Sequence, residues 1–195
     1  MEQKPKIFIG FRSFIPDEWI KESYEFLSEH NGQIKYEKEQ PGAFNHYEPQ
    51  WLDAVVVFAT VMMNEIFRDA LKSFIKSLLR KLQSKAVKLI RAGGSTTDIN
   101  PGISFQYSDG KGKVLKIRFG SEVAPEVIER MVDSGMSLIN AEKTDEFFGN
   151  SDYADQVKDS TILNMEYNEA NDKWEPINFK KRHDDLMNKL RQADS

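Results

Sequence analysis

Histidine is the side chain best suited to exchanging protons near neutral pH, and this chain has three, His30, His46 and His183. His46 is the one with polar neighbours, since Glu48 follows it and Asp53 lies shortly after. A general acid–base pair or a metal site needs a second group brought close by the fold, and no His-x-x-x-His or similar spacing supplies one. An enzyme centred on His46 is therefore one hypothesis, but the sequence assigns no catalytic residue.

Other reactive motifs are missing from the sequence. The glycine-rich residues 93–98 share only composition with a phosphate-binding loop, because the Lys-Ser/Thr pair of such loops is absent. No Gly-x-Ser-x-Gly elbow is present to activate a serine. The absence of cysteine excludes disulfides, zinc–thiolate sites and thiol nucleophiles. We therefore expect neither a metal nor a cofactor.

A row of basic residues is a candidate binding surface. Arg68, Lys72, Lys76 and Arg80 recur at every fourth position, so on a helix they lie side by side. Residues 68–91 hold eight basic side chains against one acid, a net +7, whereas the whole chain carries -4. The row is either the solvated side of an amphipathic helix, the commoner case, or a partner-binding surface for an anionic lipid, a nucleic acid or an acidic protein.

The element that carries this row is the longest apolar stretch of the chain, residues 51–82. Three consecutive valines at 55–57 favour a strand by propensity, whereas the continuation of the apolar pattern into Met62 and Ile66 favours a helix. We predict one long central α-helix over residues 50–84, about 50 Å in length and kinked near residues 60–64. A buried strand over residues 54–61 is the alternative.

Three further rows share the four-residue spacing of the basic row, and two of them are apolar. On a helix these rows become ridges, which we expect to face the protein core. The apolar rows are Ile66, Ala70, Phe74, Leu78 and Leu82, and Phe67, Leu71, Ile75 and Leu79; the small or polar row is Asp69, Ser73, Ser77 and Lys81.

The flanking segments alternate between strand and helix patterns. A strand at 6–11, a helix that starts near Pro16 and a strand at 33–39 predict an N-terminal βαβ unit. Alternating apolar residues predict hairpins over 103–119 and 161–179. Pro125 starts a further helix with Gly135 just past its end. Residues 140–160 read as a long polar loop, and residues 179–192 as a short terminal helix.

These elements predict an α+β fold: a single domain over residues 1–195, with a mixed or antiparallel sheet and two hairpins packed on the long central helix. The composition, 39% apolar and 30% charged, is that of a globular protein. The apolar segment near the N-terminus is too short for a secretory signal, and the uncharged run at 54–64 is too short to span a bilayer. We expect a cytoplasmic protein without a transmembrane segment.

Three functions are compatible with this architecture. The first is a non-catalytic protein-interaction module that self-associates or binds another protein, because one large apolar element occurs without a catalytic constellation. The second is a peripheral membrane protein that binds anionic lipid through the basic row. The third is the enzyme centred on His46. A nucleic-acid partner is not expected, since the basic row is interleaved with serines rather than aromatics and the pI is about 5.5.

Overall fold

The computed structural model describes residues 6–28, 33–38, 51–59, 65–84, 87–90, 96–108, 110–150, 153 and 161–177. Within these residues the chain forms eight strands and four helices. They are β1 (Lys6–Phe11), α1 (Asp17–Ser28), β2 (Gln33–Lys38), β3 (Trp51–Ala59), α2 (Glu65–Gln83), β4 (Val87–Ile90), β5 (Thr96–Ser108), β6 (Val114–Gly120), α3 (Pro125–Leu138), α4 (Ala141–Gly149), β7 (Ile162–Asn168) and β8 (Lys173–Pro176).

The strands form a mixed sheet in the order β2-β1-β3-β5-β6-β7-β8, and β4 pairs with the first part of β5. The pairs β1–β2, β3–β5 and β6–β7 are parallel, and the other pairs are antiparallel. Each parallel pair is joined through a helix, as parallel neighbours require. The predicted α+β class and the predicted βαβ unit, β1-α1-β2, are confirmed.

Both predicted hairpins are present as antiparallel pairs, β5–β6 and β7–β8. The turn of the first contains Gly110 and Gly112 at φ 73 and 101 degrees, a backbone region that side chains with a Cβ rarely adopt. Asp172 has a φ of 57 degrees in the turn of the second. Aspartate is one of the few residues that tolerate this conformation, so both turns follow from local sequence.

The prediction of one helix over residues 50–84 is wrong, because residues 51–59 form strand β3 and α2 begins only at Glu65. β3 is hydrogen-bonded to β1 on one side and to β5 on the other. With neighbours on both sides, the β-branched valines pack on a pleated surface, and their strand propensity outweighs the continuity of the apolar pattern. Ile66, one of the residues on which that continuity depended, is 72% exposed.

α2 is amphipathic in the predicted manner, and its two apolar rows are buried except for Ile66. They face alternate residues of the sheet, which are also buried, and these side chains form the core together with buried residues of α1 and α3. The sheet contributes Ile7, Ile9, Phe11, Val55, Val57, Ala59, Ile103, Phe105, Tyr107, Leu115, Ile117, Phe119, Leu163 and Met165.

Two smaller predictions need correction. Residues 141–149, predicted to lie in a polar loop, form α4, whose N-cap Asn140 accepts a hydrogen bond from the Lys143 backbone N–H at 2.7 Å. Gly135 does not follow α3 but lies inside it, where an added Cβ would come within 2.7 Å of Phe119 and Trp174. Close packing, rather than helix termination, explains this glycine. The predicted terminal helix at 179–192 lies outside the described residues.

Candidate functional site

The basic row of α2 faces α3, and α3 supplies acids to it. Lys76 Nζ lies 2.6 Å from Glu129 Oε2 and 2.9 Å from Asp133 Oδ1. Arg80 also pairs with Glu129. The two cations in the middle and at the end of the predicted partner-binding row are therefore engaged within the chain.

The first half of the row is less strongly engaged. Lys72 Nζ lies 3.1 Å from Asp69 Oδ1, one turn away on the same helix. Arg68 is partly buried at the start of α2. An anionic partner would compete with the chain's own carboxylates for most of this row, which weakens its attraction for lipid or acidic protein. Partner binding through these four residues stays a prediction.

The ion pairs between α2 and α3 shift the pKa values of their members. Burial lowers the pKa of Lys76, but the hydrogen bonds to Glu129 and Asp133 outweigh it, so the pKa is raised above its ordinary value. The hydrogen bond from Lys76 lowers the pKa of Glu129. Both shifts favour the charged forms, so this contact is intact at neutral pH.

The opposite flank of α2 meets α1, and here a cavity of about 270 Å³ separates the helices. We call it the α1–α2 groove. Its lining is mostly apolar, with serines along the side of α2 and one ion pair, Lys81–Glu22, at the rim. The lining residues are Trp19, Glu22, Ser23 and Phe26 of α1 and Ser73, Phe74, Ser77, Leu78 and Lys81 of α2.

The groove exists because two side chains in the small or polar row of α2 are short. Ser73 and Ser77 lie one turn apart and are both exposed, while the neighbouring Phe74 and Leu78 are buried. Serine side chains are too short to reach across to α1, so the apolar side chains beneath them border open space. Phe26 on the opposite wall is 39% exposed.

Local contacts fix the α1 wall of the groove. Ser23 Oγ donates a hydrogen bond to the Trp19 carbonyl at 2.6 Å, and Tyr36 of β2 donates to the Ser23 carbonyl at 3.3 Å. Lys81 Nζ lies 5.5 Å from the centre of the Trp19 ring, within the range of a cation–π contact. These contacts hold Trp19 and Lys81 in place at one end of the groove.

A second polar cluster lies on the sheet face that points away from the core. A bulge between Asp53 and Val55 lets Asp53 project from that face, although strict alternation would place it in the apolar core. Its carboxylate lies 3.3 Å from Lys116 Nζ and 3.5 Å from Arg118 Nε. Arg118 Nη1 also lies 2.9 Å from Glu122 Oε1.

We interpret this Asp53 cluster as structural. Its charges alternate in sign, and Arg118 also donates a hydrogen bond to the Asn100 carbonyl at 3.2 Å, so the cluster ties β3, β5 and β6 together. Gly102 of β5 makes room for it, since an added Cβ would lie 2.9 Å from Arg118 Nη2. The buried Ser104 Oγ has no hydrogen-bond partner within the described part of the chain.

The enzyme hypothesis is not tested by the described part of the chain. His46, the centre of the enzyme hypothesis, lies outside them, as do His30 and His183. Among the residues that the structure describes, no three His, Asp or Glu side chains are grouped so as to hold a metal ion. None of the helices in the described ranges combines the length and apolar composition needed to cross a membrane.

Comparison of this chain with protein-family models, with curated proteins and with solved structures finds no match. Sequence reasoning missed the α1–α2 groove, although its signal was present: the small residues Ser73 and Ser77 recur on one side of a helix that is bulky elsewhere. The two serines indicate a groove only once it is known that α1 faces them.

Proposed function

We propose that the protein is a non-catalytic interaction module that associates with a second copy of itself through the α1–α2 groove. The observation that carries the proposal is the groove itself, whose apolar lining consists of Trp19, Phe26, Phe74 and Leu78. Aromatic and aliphatic pockets of this kind bind the anchor side chains that dominate protein–protein affinity. Grooves between helices also receive the apolar face of a further helix.

The open shape of the groove suits projecting side chains. Pockets that enclose a whole ligand have volumes of roughly 300–1,000 Å³ and bury most of its surface. The α1–α2 groove, at about 270 Å³, is at the lower end of that range and is open to the surface. Its serine wall allows an incoming backbone to approach α2 closely, while its apolar floor accepts the side chains that project from that backbone.

Exposed apolar residues occur on the two helices that form the groove. Within the described residues, Tyr24, Phe26 and Ile66 are large apolar side chains that are 39–72% exposed, and all three lie on α1 or α2. Ile162, 44% exposed, lies instead on β7. Of these, Phe26 lines the groove itself, where an exposed aromatic side chain is available to a partner.

The other two functions receive less support. Lipid binding through the basic row would require Lys76 and Arg80 to leave Glu129 and Asp133. The enzyme hypothesis depends on His46, which lies outside the described residues.

The test is the mass of the full chain in solution over a concentration series. We expect the wild-type mass to rise from 22.5 kDa toward twice that value. Phe26→Asp places a charge in the apolar groove and should hold the chain at 22.5 kDa, whereas Ile162→Asp, a change at a similarly exposed site on β7, should behave as wild type. A wild-type chain that stays at one chain mass at the highest concentration would overturn the proposal.

A further inference from the structure

Building on the proposed self-association, we propose that α2 packs against α2 of the second copy in antiparallel orientation, with the twofold axis between Ser73 and Ser77. In such a symmetric dimer every contact away from the axis occurs twice. Three observations support this arrangement: the residues along the exposed side of α2, the charges on one flank of that side, and its continuity with the α1–α2 groove.

The exposed side of α2 is a line of four residues, Ile66, Ser73, Ser77 and Ser84, the last of which follows the end of the helix directly. They share one side because offsets of 7, 11 and 18 residues are close to whole helical turns. All four are exposed, and Ile66 is 72% exposed. The serines in the middle are short, so the backbone of a second helix can approach closely there.

This line is nearly symmetric about the level of Ile75. Ser73 and Ser77 lie two residues to either side of that level, and Ile66 and Ser84 lie nine residues to either side. An antiparallel pair centred there places Ser73 opposite Ser77 of the second copy and Ile66 opposite Ser84. The bulky side chain thus meets a small one, and its exposed apolar surface is covered.

Charges on one flank of the line favour the antiparallel orientation. Asp69 and Arg80 are eleven residues apart, so they lie on the same flank, six and five residues from the level of Ile75. Antiparallel packing brings Asp69 of each chain beside Arg80 of the other, which gives two contacts between opposite charges. Parallel packing would pair Asp69 with Asp69 and Arg80 with Arg80, and like charges repel.

The ion pairs within each chain leave both side chains accessible to the partner. Arg80 pairs with Glu129 through one nitrogen, its side chain is 56% exposed, and a guanidinium has five N–H donors. Asp69 contacts Lys72 on the same helix, and 65% of its side chain is exposed. Exposed pairs of this kind are weak, so Asp69 can exchange Lys72 for Arg80 of the second copy at little cost.

The positive charge of α2 does not oppose the contact. α2 carries five cations and two acids, a net charge of +3. Glu129 and Asp133 of α3 and Glu22 of α1 each pair with a cation of α2. These three acids offset the charge of the helix within each chain, so two copies of α2 can approach one another.

The antiparallel pair also covers the α1–α2 groove. Ser73 and Ser77 belong both to the exposed line and to the groove lining. A helix of the second copy that lies over these serines borders Phe26, the 39% exposed residue of the opposite wall. The groove is therefore open in the single chain and is closed by α2 of the second copy.

The first experiment reverses one charge in the full chain. Asp69→Arg sets two cations against each other at both contacts and should raise the dissociation constant of the dimer roughly tenfold or more. The control, Glu25→Arg, makes the same change of charge on α1 outside the groove lining, at an exposed acid that contacts Lys21 on its own helix. It should change the constant by less than about a factor of two. An unchanged constant for Asp69→Arg would overturn the inference.

The second experiment uses the absence of native cysteines. The double variant Ile66→Cys with Ser84→Cys should form an intermolecular disulfide on mild oxidation and migrate at twice the chain mass. Within one chain the two positions are about 27 Å apart along the helix, too far for a disulfide. Each single variant should stay at one chain mass, because its two thiols lie at opposite ends of an antiparallel dimer.

The outcomes separate this inference from the self-association on which it rests. If Phe26→Asp abolishes the dimer but the double cysteine variant forms no disulfide, self-association through the groove stands and the antiparallel pairing of α2 is excluded. A disulfide formed by either single variant would show a parallel arrangement and would also overturn the inference. A wild-type chain that stays at one chain mass would overturn both proposals.

Discussion

Helix α2 meets another helix on each flank, and the two contacts differ in what fills the space between the helices. Toward α3, the long side chains of Lys76 and Arg80 reach Glu129 and Asp133 and close the gap. Toward α1, Ser73 and Ser77 are too short to do so, and the groove remains. The comparison shows that side-chain length along the flanking rows decides which side of a helix is available to a partner.

The largest effect is expected from disturbing the packing of α3, the helix of the closed flank, on the sheet. Gly135 of α3 packs against the ring atoms of Trp174 and Phe119, at 2.6 and 2.7 Å from the position of an added Cβ. Gly135→Val should lower the free energy of unfolding by about 3 kcal/mol, because the larger side chain overpacks a filled core. Urea unfolding measures this directly.

The matched control for that change is Gly149→Val at the end of α4. An added Cβ there meets no atom within 4 Å, so stability should change by less than about 0.5 kcal/mol. Equal effects at the two positions would mean that α3 is not closely packed on the sheet.

A smaller effect is expected from removing the cation that closes the α2–α3 contact. Lys76→Met keeps the length of the side chain but leaves Glu129 and Asp133 without their shared partner. We expect a loss of about 1 kcal/mol that shrinks as salt is added. Lys72→Met, which removes only a pair within α2, should cost a few tenths of a kcal/mol. Equal costs for the two variants would contradict the assignment of Lys76 to the closed flank.

The smallest effect is the pH dependence of the same contact. The hydrogen bond from Lys76 lowers the folded pKa of Glu129 below its ordinary value of 4.5. A lowered pKa contributes stability above that ordinary value, and the contribution is lost as the pH falls through the folded pKa. Wild type should therefore be more stable than Lys76→Met at about pH 6 and should lose most of this advantage near pH 3.

Urea midpoints of the two proteins at both pH values measure this difference, and a constant difference between them would argue against the pair. The raised pKa of Lys76 affects stability only at alkaline pH. Its contribution to the free energy of unfolding is complete below the ordinary lysine pKa of 10.5 and is lost as the pH rises through the folded pKa.

Much of the fold could be predicted from local sequence. The glycines at 110 and 112 and the alternation on either side of them specify the β5–β6 hairpin, and Pro125 starts α3 as expected. The assignment of residues 51–59 failed, because a short apolar run has no periodicity that separates a buried strand from a buried helix. Its identity depends on β1 and β5, which are remote in sequence.

The candidate site was harder to predict from the sequence than the fold. The basic row was correctly placed on a helix, but its acidic partners Glu129 and Asp133 lie about fifty residues away and show no special pattern. The groove required the position of α1 as well as that of α2. A site formed between two helices depends on how they are placed, which no local signal encodes.

The sequence by itself determined the four rows of α2, since residues four apart on a helix are neighbours in any context. It also determined the turns, because backbone conformation there is set by the residues present. Only the tertiary structure decided which row meets α3, which row meets α1, and that residues 51–59 form a strand. Those outcomes depend on contacts between segments distant in sequence, and such contacts form only when the whole sheet is assembled.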